Sequence, residues 1–339
     1  MKSIDGSSVQ LEDTEENQAS YPQPATQKPG CGFPVMGIMG VLNHSHGGWE
    51  DFVTCTEASH DAPVAHKLLH NFVEGDLACA DRAFCTYELI ALLRRNGAHA
   101  LMRLHQSRHR VVDFRRGKKL GKNQRQVTWT KPKKKPAKSP LTEAEWAALP
   151  ETLEMRLIRF EFRDRDGKRR RMILATTLLD ASRYKWEQLG TIYAQRWDIE
   201  LRLRDLKTTL GMERFKVKTP EMAHKTLEMM VVSFNLVKAV SQEAAHEAGE
   251  DLRLMSFKGA LDTIVAHTSR YLGRQRQPNK IRQIWNEMIA IVTTKLIRLR
   301  PGRREPRAIK KRPKSFSFLT RPRAVFKEIP HKGKPRSCS

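Results

Sequence analysis

Long apolar runs are missing from this chain: no stretch approaches the ~20 consecutive apolar residues that a bilayer-spanning helix needs. The first residues, Met1 to Asp5, have the build of neither a secretory signal nor a transit peptide. Cysteine is scarce, with five in 339 residues: Cys31, Cys55, Cys79, Cys85 and Cys338. None has the C-x-x-C spacing of a structural zinc site, so they are expected to be small apolar residues in a reducing cytoplasm. Acid is short as well. Lys and Arg number 62 against 37 Asp and Glu, a net charge of +25. A chain so charged repels itself and attracts polyanions, so nucleic acid is the leading partner and an anionic membrane surface the weaker one. No membrane partner and no small-molecule substrate are expected.

What is present reads as a mixed α/β protein. Phe33 to Leu42 is an apolar, glycine-studded strand, joined through the turn-like His44-Ser45-His46-Gly47-Gly48 to a second strand, Trp49 to Thr56. Ala62 to Val73 has helical spacing, Asp76 to Ala80 is a short buried strand, Thr86 to Asn96 a helix closed by Gly97, and Ala98 to Leu104 another strand. Residues 1–105 form the first part of a core on this reading. From Gln106 to Pro140 cations crowd together and Asp113 is the sole acid. Met155 to Phe162 and Arg171 to Leu178 alternate like a hairpin with Asp166-Gly167 at its turn, so 106–170 is expected to be a basic, strand-rich insertion. The core resumes over 171–248, with long helical stretches from Trp186 to Leu210 and Ala223 to Ala244. Further helices follow over 249–300 and a basic flexible tail over 301–339.

The chemistry concentrates in Tyr193, Arg196, Glu200 and Lys207, whose intervals of three, four and seven place them on one face of a helix. A solvated face with an Arg196–Glu200 pair is the bland alternative. The segment reads Tyr193-Ala-Gln-Arg196-Trp197-Asp-Ile-Glu200, then Leu206-Lys207, with Thr219-Pro220 and Phe234-Asn235-Leu236 downstream. It closely resembles the Y-x2-R-x3-E-x6-K motif of the IS4 family of DDE transposases. Upstream, Leu77-Ala-Cys-Ala80-Asp81-Arg82-Ala-Phe84 ends an apolar strand on an acid and resembles the family's A-D-R-x-F block, with Arg103 similar to the arginine that closes it. An acid so placed sits where catalytic groups lie in open α/β sheets, although it could also be a helix cap. Ile4-Asp5-Gly6-Ser7-Ser8 resembles the family's D-G-[ST] pattern, and Asp13 is its rival.

That resemblance covers roughly residues 3–245. It implies a ribonuclease H-like fold in which Asp5, Asp81 and Glu200 hold two Mg²⁺ or Mn²⁺ ions, and Tyr193, Arg196 and Lys207 contact DNA near the cleaved end. Two such ions about 3.5–4 Å apart can activate a water and stabilise the leaving oxygen of a phosphodiester. Three carboxylates repel each other, so without metal at least one should have a raised pKa. The implied activity is transposition: DNA cleavage and strand transfer at transposon ends, by a homodimer on DNA, in a cytoplasmic protein associated with the bacterial nucleoid. Lys133 and Lys134 of the basic insertion are expected on phosphates. Trp129 either stacks on a base or fills the insertion's small core. Members of the family usually carry an amino-terminal region that reads transposon ends, whereas here the sequence starts four residues before Asp5. A shortened first strand is expected. The alternatives are therefore a truncated DNA-binding remnant and a metal-dependent nuclease of the same fold.

Overall fold

The computed structural model describes residues 1–56, 61–163 and 167–297, together with 321, 322 and 325. Among them, nine strands form one sheet in the order β3-β2-β1-β4-β5-β9-β8-β7-β6. The strands are β1 (Lys2–Gln10), β2 (Val35–Asn43), β3 (Gly48–Thr56), β4 (Leu77–Ala80), β5 (His99–Arg103), β6 (Lys118–Gly121), β7 (Gln124–Thr130), β8 (Thr152–Arg163) and β9 (Arg169–Thr176). β2 runs antiparallel to both β1 and β3, whereas β4 lies parallel to β1 and β5 parallel to β4. An antiparallel meander followed by two parallel strands, with a helix crossing between the last two, is the ribonuclease H-like arrangement. β4 can occupy the middle because Ala78, Cys79 and Ala80 are all fully buried, as a strand covered on both faces requires.

The first strand corrects one expectation. β1 is a full nine residues and pairs with β2 along its whole length, from Lys2 opposite Asn43 to Gln10 opposite Val35. Most of the strand lies after Asp5, through Gly6, Ser7, Ser8, Val9 and Gln10. Alternation along it sends Ile4 to one face of the sheet and Asp5 and Val9 to the other.

Helices cover both faces. The short α1 (Glu15–Ser20) and α2 (Asp61–Ala65) sit in connections, as do α4 (Gln106–Val111) and α5 (Glu143–Ala147). Between them α3 (Tyr87–Arg95) packs on Ile4's side of the sheet with Phe72, and Trp129, Trp146 and Leu153 join the same core. The expected helix over Ala62–Val73 is α2 followed by a 3₁₀ turn, His66–Asn71. The strands of the basic segment, β6 to β8, extend the main sheet through β9. Asp166 of the expected turn and the tail beyond 297, apart from the three residues named, lie outside the described residues; Gly167 has a left-handed φ of 74°.

The other face carries α6 (Trp186–Gln195), α7 (Asp198–Arg204), α8 (Pro220–Ala248), α9 (Phe257–Tyr271) and α10 (Pro278–Thr293). The expected single helix from Trp186 to Leu210 is instead broken twice. α6 stops before Arg196, and α7 gives way to a π turn over Asp205–Thr209. No proline or glycine lies from Thr191 to Leu210, so packing sets these breaks: Ile199, Leu203 and Leu206 are drawn into the core under β1 and β2. α8 starts at a Thr219 cap with Pro220 at its first turn and ends at Gly249, in the left-handed region at φ 64°. Asn235 pins this helix to the sheet: its side chain accepts from Trp49 N at 2.9 Å and donates to Trp49 O at 2.8 Å.

Candidate catalytic cleft

Four carboxylates line one cleft of about 470 Å³: Asp5, Asp81 and Glu200, far apart in sequence, and Glu213, together with Ser7, Arg196 and Lys207. The sheet ladder brings the first two together. β1 and β4 pair Lys2 with Ala78 and Ser3 with Cys79. Continuing that register by two residues sets Asp5 beside Asp81, where β4 has ended and its last carboxylate is released. Asp81 precedes a short 3₁₀ turn, Arg82–Phe84, but its side chain makes no capping bond there. α3 is capped by Thr86, whose Oγ1 accepts from Leu89 N at 3.2 Å. The capping alternative for Asp81 is thus taken by another residue. Glu200 enters from α7, which lies across β1 on Asp5's face.

Arg196 stands among these acids. Its Nη1 is 3.6 Å from Asp5 Oδ2 and its Nη2 donates to Glu200 Oε1 at 3.1 Å. Its Nε is buried with no hydrogen-bond partner among the described residues. Burial disfavours its charge, but Tyr193, Glu200 and Asp5 outweigh that and hold its pKa above the ordinary value. Asp5 is the strained member. Burial pushes its carboxyl up to about 6, against the Gly6 N–H (2.8 Å to Oδ1) and Arg196, and with Glu200 and Asp81 adding to the rise. The raised pKa expected of clustered carboxylates is therefore present, with burial ahead of repulsion as its cause.

Among the described residues, no group of three or more His, Cys, Asp or Glu side chains is drawn together closely enough to hold an ion as it stands. The donor set nevertheless suits a hard divalent cation: carboxylate oxygens from three rigid elements face one cleft, and a cationic side chain already bridges two of them. Asp5, Asp81 and Glu200 are the residues that fit it.

Other expected site residues fall in different places. Lys207 lines the cleft from the π turn. Tyr193 is buried, its hydroxyl donating to Ala80 O at 3.4 Å, next to Asp81. It is not on a solvated helix face with Lys207, because the two helix breaks intervene. Burial pushes its phenol up to about 12. Arg103 is exposed at the end of β5, and its charge reaches Tyr193. Lys133 and Lys134 are exposed in the connection between β7 and α5 and do not line the cleft. For Trp129 the structure shows the buried alternative in place of base stacking. It is 5% exposed, packed in the core with α3, and the Arg108 guanidinium lies 4.0 Å over its ring, closing the face that a base would need. Glu213 was not singled out by sequence reasoning. It reaches the cleft because the chain after the π turn bonds back to β1, with Phe215 N donating to Gln10 O at 2.8 Å, a long-range pairing without a periodic signal.

Residues 2–236 match the family model for the transposase DDE domain. The chain is 24% identical over 332 residues to the transposase InsG for insertion sequence element IS4 of Escherichia coli K12, spanning 94% of this chain and 69% of that protein. A piggyBac transposase solved as a synaptic complex with hairpin DNA is similar over 89% of this chain, with a TM-score of 0.47 and 11% identity. This chain spans only 58% of the length of that transposase. No helix among the described residues is long and apolar enough to cross a membrane.

Proposed function

Because the chain belongs to the transposase DDE domain family, we propose that it cleaves DNA at transposon ends and joins the freed 3′-hydroxyl to target DNA. The convergence of Asp5, Asp81 and Glu200 on one cleft, with Arg196 among them, carries this reading. These three carboxylates are the residues to hold two divalent ions, Mg²⁺ or Mn²⁺. Bound there, such ions supply activation of the attacking oxygen and charge stabilisation on the leaving one.

The chain's own groups divide the remaining work. Asp5 and Asp81 are fixed by neighbouring strands, so their spacing follows from the sheet and not from loop conformation. Arg196 sets a positive charge against both Asp5 and Glu200. Its guanidinium has the planar fork that can grip a phosphate in bidentate fashion. Tyr193 ties α6 to the end of β4 and positions the strand terminus that presents Asp81. Lys207 at the rim, Arg103 at the end of β5, and the exposed Lys133 and Lys134 are placed for phosphate contacts that carry no sequence information. Two copies act together on paired DNA ends, in the cytoplasm at the nucleoid.

The test is a cleavage assay with Mg²⁺ or Mn²⁺ on DNA bearing the element's ends. Glu200→Gln is expected to lower cleavage by at least about 10³-fold, the scale on which removal of an essential charge-stabilising group acts. DNA affinity should stay within about threefold. Cleavage retained by Glu200→Gln would overturn the assignment, and nicking without joining by the wild type would leave a nuclease.

A further inference from the structure

We propose that the outer face of α8 is where two copies of this chain pair, as an antiparallel helix pair about a twofold axis level with Phe234. This helix is 29 residues long and apolar on two sides. Its inner side, with Ala223, Leu227, Phe234, Val237 and Ala244, packs on the core. Its outer side presents Lys225, Met229, Val232, Leu236, Ala239 and Glu243, all exposed. Met229 is 63% exposed, Val232 50% and Leu236 62%. Asn235 locks the helix to Trp49 on the sheet, so this face cannot roll inward.

The intervals between those six residues are four, three, four, three and four. That is the 3.5-residue repeat of a coiled-coil seam, in which alternate positions mesh with a facing helix. A solvated helix face has no need of it. The charges at its ends choose the occupant. In an antiparallel pair, Lys225 meets the partner's Glu243 at both ends, Met229 meets the partner's Ala239, and Val232 meets the partner's Leu236. Met229 thus faces a small residue, Val232 and Leu236 face each other across the axis, and cations face anions. Parallel pairing would set Lys225 against Lys225 and Glu243 against Glu243, which repel.

Little stands in the way. Lys225 now bonds Glu221 on its own helix at 2.5 Å, an exposed pair of small worth. Glu243 is already held in place by Trp285 Nε1 at 2.9 Å. The seam from 225 to 243 is about 27 Å long at 1.5 Å per residue. One helix pair of that length buries less than the ~800 Å² per partner of a standard interface. Pairing in the absence of DNA is therefore expected at micromolar concentration, and more readily in moderate salt, which screens the mutual repulsion of two copies each at +25.

This inference gives a surface to the paired action proposed above, but its test scores pairing without DNA. Val232→Cys and Leu236→Cys are made separately in the full chain, with Cys31 and Cys338 replaced by serine, and treated with a short bismaleimide in 0.3 M NaCl. Mixing the two proteins is expected to give at least fivefold more crosslinked dimer than either alone. Lys225→Glu should abolish the dimer seen by sedimentation, and Lys225→Glu with Glu243→Lys should restore it. Circular dichroism confirms that each variant is folded; all four sites are exposed. Equal crosslinking by the single variants, a monomer at every concentration, or a dimer indifferent to Lys225→Glu would overturn the proposal. Any of these, alongside intact DNA cleavage, would assign the seam to another occupant and leave the reading of the cleft untouched.

Discussion

Arg196 lies against both Asp5 and Glu200, and Asp5 bears the cost of the arrangement. Its carboxyl is raised from 3.8 to about 6, with burial the largest cause. A carboxyl whose folded pKa exceeds its unfolded value makes the folded state bind the extra proton, so stability declines as pH rises from about 4 through 6 and stays reduced above. At 1.36 kcal/mol per pKa unit the effect is at most about 3 kcal/mol. Asp5→Asn is therefore expected to raise the melting temperature of the EDTA-treated protein by several degrees at pH 7.5 and to flatten its dependence between pH 4 and 6. Added Mg²⁺ should stabilise the wild type and not this variant. Calorimetry at three pH values decides; a variant less stable throughout would show that the ion pair with Arg196 outweighs the relief of charge. Asp81 was legible in sequence as the acid that ends a short apolar strand, and Glu200 through its helical spacing from Tyr193, Arg196 and Lys207. The burial of Tyr193 was not, since spacing along one element says nothing of what a distant element lays over it.

At the scale of elements, the cleft depends on how closely β2 lets its neighbours approach. Gly40 stands opposite Asp5 in the ladder, and a Cβ there would come 2.8 Å from the Phe52 ring and 3.0 Å from Trp49. Gly40→Ala forces two core aromatics to shift, an overpacking expected to cost about 1–3 kcal/mol. Urea unfolding should show a lower midpoint with an unchanged slope; an unchanged midpoint would mean that the rings can yield freely. The strands from 33 to 104 were readable to within a few residues from alternation and glycine punctuation. The breaks around Arg196 and the π turn at Asp205–Thr209 were not, because the residues there are ordinary helix formers. Tertiary packing of Ile199, Leu203 and Leu206 overrides that propensity. Such π turns recur at functional sites, and this one carries Lys207 to the cleft.

For the whole molecule, a net charge of +25 makes affinity for DNA a question of salt. Binding is expected to weaken steeply between 50 and 200 mM NaCl. Lys133→Ala with Lys134→Ala should lower the log–log slope by about 2, since each phosphate left without its cation removes about 0.9. Fluorescence anisotropy over that range measures it, and an unaltered slope would remove both lysines from the interface. The sign and size of the charge were plain from composition. That the basic segment shares a core with α3 was not, because its strands join the sheet through β9, a pairing of residues far apart in the chain.

The register that sets Asp5 beside Asp81, and α7 across them, has a consequence for synthesis. Glu200 leaves the ribosome 195 residues after Asp5. At about 5–20 residues per second, that interval is roughly 10–40 s. The lysines between 118 and 138 emerge within it, so a growing chain has its attraction for polyanions before it has a closed cleft. Chains that stop short of Glu200 would be adhesive without being able to cut.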